Sequence, residues 1–178
     1  MKTPTFTVFR RAGLAASALL LAACSTTDHV SPDATAAELQ ERFGNPTVTC
    51  PLPDGGERRV WSRQPDGQFA WASIKDAEGK EGPLQQMLSD AGFAQLQGGY
   101  WPAEKIRCEF GPPAEIKEIG HGNARQVVWS YRFRHANAWD SLMNLYMGPK
   151  GDVLRRSSFI QDPRGMNSGE GNATGSSD

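Results

Sequence analysis

The sequence predicts an α+β protein, in which short helices pack on antiparallel sheet. Two observations carry that prediction. Val127, Trp129, Tyr131 and Phe133 alternate with Val128, Ser130, Arg132 and Arg134, the period-two pattern of a strand with an aromatic face. Leu39/Phe43 and Ile106/Phe110 are i,i+4 pairs, which set two apolar groups on one face of a helix. Gly44 and Gly111 follow these pairs, where a helix ends in a left-handed residue, and a proline beyond each keeps the helix from resuming.

In chain order, the first helix closes at Phe43. Strands over 58–64 and 68–76 flank Pro65-Asp66-Gly67, a hairpin turn. Over 83–96, Leu84, Met87, Leu88, Phe93 and Leu96 fall at mostly helical spacing, with Gly92 as a break. A helix over 103–110 comes next, then the turn residues Gly120-His121-Gly122-Asn123 and the strand over 127–134. Another apolar run over 141–147 leads through Gly148-Pro149-Lys150-Gly151 into a last strand over 152–160. Leu39-Gln40-Glu41-Arg42-Phe43-Gly44-Asn45-Pro46 lines up with Ile106-Arg107-Cys108-Glu109-Phe110-Gly111-Pro112-Pro113, and Val60-Trp61-Ser62 echoes Val128-Trp129-Ser130. The chain therefore reads as two copies of one unit, over 36–80 and 81–161.

The ends are of a different kind. Met1-Lys2 and Arg10-Arg11 precede an apolar run over 12–21, too short to span a bilayer, which ends at Leu21-Ala22-Ala23-Cys24. This resembles the lipobox of bacterial lipoproteins. The resemblance implies a signal over 1–23 and a mature chain that begins at a lipid-modified Cys24, with palmitate among its acyl chains. Several chains together anchor firmly where one does not. Ser25 at the next position implies, in the bacterial sorting scheme, the periplasmic face of the outer membrane. Residues 24–35 read as a flexible tether, and 162–178 as a tail with too little to bury to fold. Roughly 125 residues remain, enough for one compact core. The formal net charge of -1 and the lack of a polybasic patch give no footprint for nucleic acid.

Gly98-Gly99-Tyr100-Trp101-Pro102-Ala103-Glu104-Lys105-Ile106, then Phe110-Gly111-Pro112-Pro113 and Val128-Trp129-Ser130-Tyr131-Arg132-Phe133, are similar to the SmpA/OmlA (BamE-like) family of outer-membrane lipoproteins. The resemblance covers residues 85–160 well and 36–80 weakly. It implies two helix-helix-antiparallel-sheet repeats in tandem, an arrangement that also resembles the β-lactamase inhibitor proteins. Tyr100-Trp101-Pro102 departs from the family's Met-Thr start, so a hydroxyl cap is missing, although Pro102 suits a first helical turn.

No catalytic set is legible. His29 falls in the tether, and His121 and His135 fall at strand ends without metal-ligand spacing. The chain has no Gly-x-Ser-x-Gly elbow and no phosphate loop. The expectation is a protein that is not an enzyme and has no cofactor or metal. Cys108 lies about 200° round the helix from Ile106, on its outer side. Either it pairs with Cys50 and joins the two copies, or one thiol stays partly exposed and the other buried. Trp101 and Trp139 are placed in loops, where large aromatics are hard to bury, and aromatic and arginine side chains dominate binding hot spots. Arg132 and Arg134, on the strand face opposite the aromatics, complete the predicted partner-binding set. The expected function is non-catalytic protein binding in envelope maintenance or outer-membrane β-barrel assembly. Its partners are the membrane, through Cys24, and an envelope protein such as the β-barrel assembly machinery. The alternative is an inhibitor-type periplasmic module that binds a soluble enzyme.

Overall fold

A computed structural model of the chain describes residues 30–31 and 33–167. Helix α1 (Ala36–Phe43) precedes strands β1 (Val48–Pro51), β2 (Glu57–Ser62), β3 (Ala70–Lys75) and β4 (Gln85–Gln86). Helix α2 (Asp90–Ala94) and a 3-10 turn (Gln95–Gln97) lead to helix α3 (Ala103–Phe110). Strands β5 (Glu115–Ile119), β6 (Gln126–His135), β7 (Trp139–Met147) and β8 (Leu154–Gln161) follow, and α4 (Pro163–Asn167) ends the description. The strands form two antiparallel sheets with the orders β1-β2-β3-β4 and β5-β6-β7-β8. The α+β class thus holds, with an eight-residue helix ahead of each four-stranded meander.

Helix α3 lies between the sheets. One core runs from Val60, Ala70 and Ala72 of the first sheet, through Ile106 and Phe110, to Trp129, Tyr131, Phe133, Met143, Leu145 and Met147 of the second. Ile106 and Phe110 are fully buried, and burial of each side chain contributes about 1.5–3 kcal/mol. Strand alternation sends Trp61 to the opposite face of the first sheet, where it packs with Leu39, Ala36 and Val30. The first sheet is therefore covered on both faces, by α3 and by α1.

Both long helices end as their glycines require. Gly44 (φ 79°, ψ -156°) and Gly111 (φ 78°, ψ -168°) have positive φ with extended ψ, a region open essentially to glycine alone and distinct from the left-handed helical region the sequence suggested. An aromatic donor from the following meander caps each carbonyl. The Trp61 indole N–H donates to Gly44 O at 3.0 Å, and the Tyr131 hydroxyl donates to Gly111 O at 3.0 Å.

Four expectations need correction. Of the tether expected over 24–35, Val30 is buried against α1 and Thr35 caps α1 in a reciprocal pair with Glu38, while 24–29 and 32 lie outside the described residues. Of the tail expected over 162–178, the described residues 162–167 include α4, which the buried Asp162 caps through the Arg164 N–H at 3.0 Å, and 168–178 lie outside the described residues. Residues 83–96 are not one helix. Their first part is β4, an edge strand on β3, and only Asp90–Ala94 is α-helical, capped by the Ser89 hydroxyl. The strands around Pro65 are shorter than expected, ending at Ser62 and resuming at Ala70, because the backbone turns where Gly67 N–H donates to Arg63 O.

The missing hydroxyl cap of α3 is replaced by backbone. Ala103 N–H donates to Asp152 O at 2.8 Å, and Leu154 N–H to Trp101 O at 2.9 Å, so the β7–β8 turn supplies the first acceptor.

The two glycine stops make a matched test. A Cβ at Gly111 would sit 2.9 Å from Ser62 Cβ, whereas one at Gly44 meets nothing within 4 Å. Gly44→Ala should cost about 1–3 kcal/mol of backbone strain, and Gly111→Ala should cost more because β2 must also shift. Chemical denaturation of both variants checks the order.

Candidate functional site

Cys24, the predicted lipid site, lies outside the described residues. The remaining candidates fall into three constellations.

The first ties the first sheet to α3. Cys50 on β1 and Cys108 on α3 form a disulfide with Cα atoms 5.9 Å apart. Arg58, directly across the ladder from Cys50, donates through Nε to Cys108 O at 3.0 Å and pairs with Glu109 at 2.8 Å. A basic fork thus reaches the C-terminal turn of α3, where its orphan carbonyls and negative dipole end favour a cation. Arg58 carried no sequence signal beyond strand alternation.

The second is a buried ion pair. Arg132 bonds the Asp162 carboxylate, with side chains 11% and 4% exposed. Beyond β5 the edge of β6 would lie open at Arg132. The Gln64 amide fills it, accepting from Arg132 N–H at 3.1 Å and donating to Arg132 O at 2.9 Å. One side chain there does the work of a strand. Arg132 is therefore held by its neighbours and does not present a face to a partner, contrary to the sequence expectation. Trp101 requires the same correction. It is only 5% exposed, its indole N–H donates to Gly98 O at 2.7 Å, and Lys105 sits 4.0 Å over its ring. Its place before α3 carries it into the common core.

The third lies at the β6–β7 tip and is exposed. Ala136 and Asn137 have φ of 50° and 55°, an uncommon conformation for residues other than glycine. Asp90 at the start of α2 clamps the tip. Its carboxylate accepts from Ala136 N–H at 2.7 Å and lies 2.6 Å from His135 Nδ1. Burial pushes the Asp90 carboxyl up, but the Ala136 N–H and then the hydrogen bond and charge of His135 outweigh it, so it is held below the usual value. Trp139 begins β7 opposite His135 and is 65% exposed. The His135 and Phe159 rings lie 4.4 Å apart, and the register puts Phe159 on the same sheet face as Trp139. Trp139, His135 and Phe159 thus make a surface aromatic face on a clamped hairpin. Arg134 is exposed nearby on the opposite face and lies 3.6 Å from Asp140. Of the four predicted partner-binding residues, Trp139 and Arg134 are accessible and Trp101 and Arg132 are not.

Among the described residues, no group of three or more His, Cys, Asp or Glu side chains is placed to hold a metal. No described helix is long and apolar enough to cross a membrane. The Tyr131 phenol is held well above its usual range; burial raises it, and Arg107 opposes the rise only in part.

Comparison with known proteins found no matching family model, no matching curated protein and no matching solved structure. The fold class and the three constellations therefore stand on the chain's own geometry.

Two predictions separate these sites. Arg132→Ala leaves the Asp162 carboxylate buried and unpaired and should cost about 3–5 kcal/mol, whereas Arg134→Ala should change stability by about 0.5 kcal/mol or less. Urea unfolding measures both. Asp90 has a lowered folded-state pKa, so its clamp stabilises above the unfolded value of 3.8 and is lost as pH falls through the folded value. The melting temperature of wild type should exceed that of Asp90→Asn near neutrality, and the gap should close in acid.

Proposed function

We propose that this chain is an outer-membrane lipoprotein of two BamE-like repeats that acts by binding protein, without catalysis, in envelope maintenance or β-barrel assembly. The observation that carries the binding reading is the accessible Trp139–His135–Phe159 face on a tip fixed by Asp90. Large aromatics are suited to hot spots, and a pre-ordered loop loses little entropy on binding. Pairing of His135 with Asp90 serves the tip's shape, which favours recognition over acid–base chemistry. The tandem reading draws support from the recurrence of an eight-residue helix, a positive-φ glycine whose carbonyl an aromatic donor caps, and a four-stranded meander. The address rests on the Leu21-Ala22-Ala23-Cys24 sequence.

The test is in-cell photocrosslinking of the full-length chain, with photoreactive groups at Trp139 and Arg134 and a Cys24→Ala form in parallel. The proposal predicts capture of outer-membrane assembly or envelope components from Trp139, and release of the Cys24→Ala form from membranes. Capture of a soluble periplasmic enzyme instead would replace it with the inhibitor-type reading. Membrane retention of Cys24→Ala would remove the lipid anchor.

A further inference from the structure

Strand β5 is an edge strand whose five residues, Glu115–Ile119, are all exposed, and its outer side carries no partner strand among the described residues. Ile116 is 49% exposed and Ile119 41%. Charged residues on an open edge ordinarily discourage pairing with another chain. Here their order has a second consequence. Antiparallel pairing of β5 with its own copy about a two-fold axis normal to the sheet must keep each residue on its face, so the axis can pass only between a residue and its equivalent. Centred on Lys117 it sets lysine against lysine, and centred on Glu115 or Glu118 it sets glutamate against glutamate, directly opposite and destabilising. Centred on Ile119 it sets Glu118 against Gly120 and Lys117 against His121, with no opposite charges facing, whereas centred on Ile116 it sets Ile116 against Ile116 and each Glu115 against the Lys117 of the other copy. Within one chain Lys117 already bonds Glu115 at 2.9 Å, so the pairing would create a closed square of alternating charge on the sheet face opposite the two isoleucines.

We propose that the β5 edge is a self-association surface, whose occupant is the β5 strand of a second copy of this chain in the Ile116-centred register. The two four-stranded sheets then join into one sheet of eight. The contact comprises few residues a side, well short of a standard stable interface, so the pair forms transiently and needs trapping to be seen. The inference is independent of lipid anchoring and of any envelope partner.

The test is oxidative crosslinking of the full chain carrying Ile116→Cys, against Ile119→Cys and the unsubstituted chain. In the proposed register the two residues 116 face each other with Cβ atoms about 5 Å apart. The two residues 119 lie six positions apart along the ladder, about 20 Å. Ile116→Cys should give a covalent dimer and the two controls should not. Adding Lys117→Glu, which turns the square wholly acidic, should lower the yield at least tenfold, and adding Glu115→Lys as well should restore it. All of these residues are exposed, so the fold is not at stake. Absence of the Ile116→Cys dimer, an equal yield from Ile119→Cys, or a yield that ignores the charge exchange would overturn the proposal.

Discussion

The placement of α3 between two sheets is the constraint on which the rest of this structure depends. Its apolar face fills the common core with Ile106 and Phe110, so neither sheet could bury its inner face without it. Its outer side is tied to the first sheet by Cys108 and by Arg58, which grips the last turn. Its end is tied to the second sheet by Tyr131, whose hydroxyl needs the Gly111 carbonyl because burial leaves it no water. Two of these features depend on each other. Gly111 must lack a side chain for β2 to approach, and β2 must approach for Arg58 to reach Cys108 O. The sheets are then further joined at Gln64 and Arg132, far from the helix in sequence.

Much of the fold was legible because it is written locally. Alternation over 127–134 and the Phe-Gly helix stops, each with a proline just beyond, are features of neighbouring residues, and both became the expected elements. The outer-facing position of Cys108 pointed to a bond, and the disulfide is present. What failed was long-range. Nothing near Trp101 says that the β7–β8 turn closes over the start of α3, and so a loop tryptophan was read as a surface one. Likewise, strand alternation rightly set Arg132 away from the aromatic face, but only the return of the chain at Asp162 shows that this position is enclosed. Residues 30–35 misled for a different reason. They end a stretch that reads as small and polar over 25–35, yet Thr35 and Glu38 carry the spacing of a capping box, a signal that was there to be read.

The candidate site shows the same division. Trp139 was expected to be exposed by the same loop argument that failed for Trp101; it is exposed, but as the first residue of β7, and its setting came from partners distant in sequence: Asp90, which holds the Ala136 N–H, and Phe159, which packs on His135. A hairpin tip with two positive-φ residues is an unfavourable conformation for alanine, and one carboxylate fixes it from another element. Rigid aromatic surface mounted on a well-tied core is the physical basis of the binding reading. The buried pair Arg132–Asp162 and the α3 ties contribute stability and shape to that mount without being part of its surface.

The central claim is that α3 makes one cooperative unit of the two sheets, and that the disulfide reinforces a union the apolar core already provides. Urea unfolding of the full chain, followed by tryptophan fluorescence and far-ultraviolet circular dichroism before and after reduction, tests it most directly. Trp61 and Trp129 report on opposite sheets. The account predicts a single transition, coincident by both probes in both redox states, with reduction lowering stability by about 4 kcal/mol for a bridge spanning 58 residues. Two separate transitions after reduction would show that the disulfide alone joins the sheets and would contradict it.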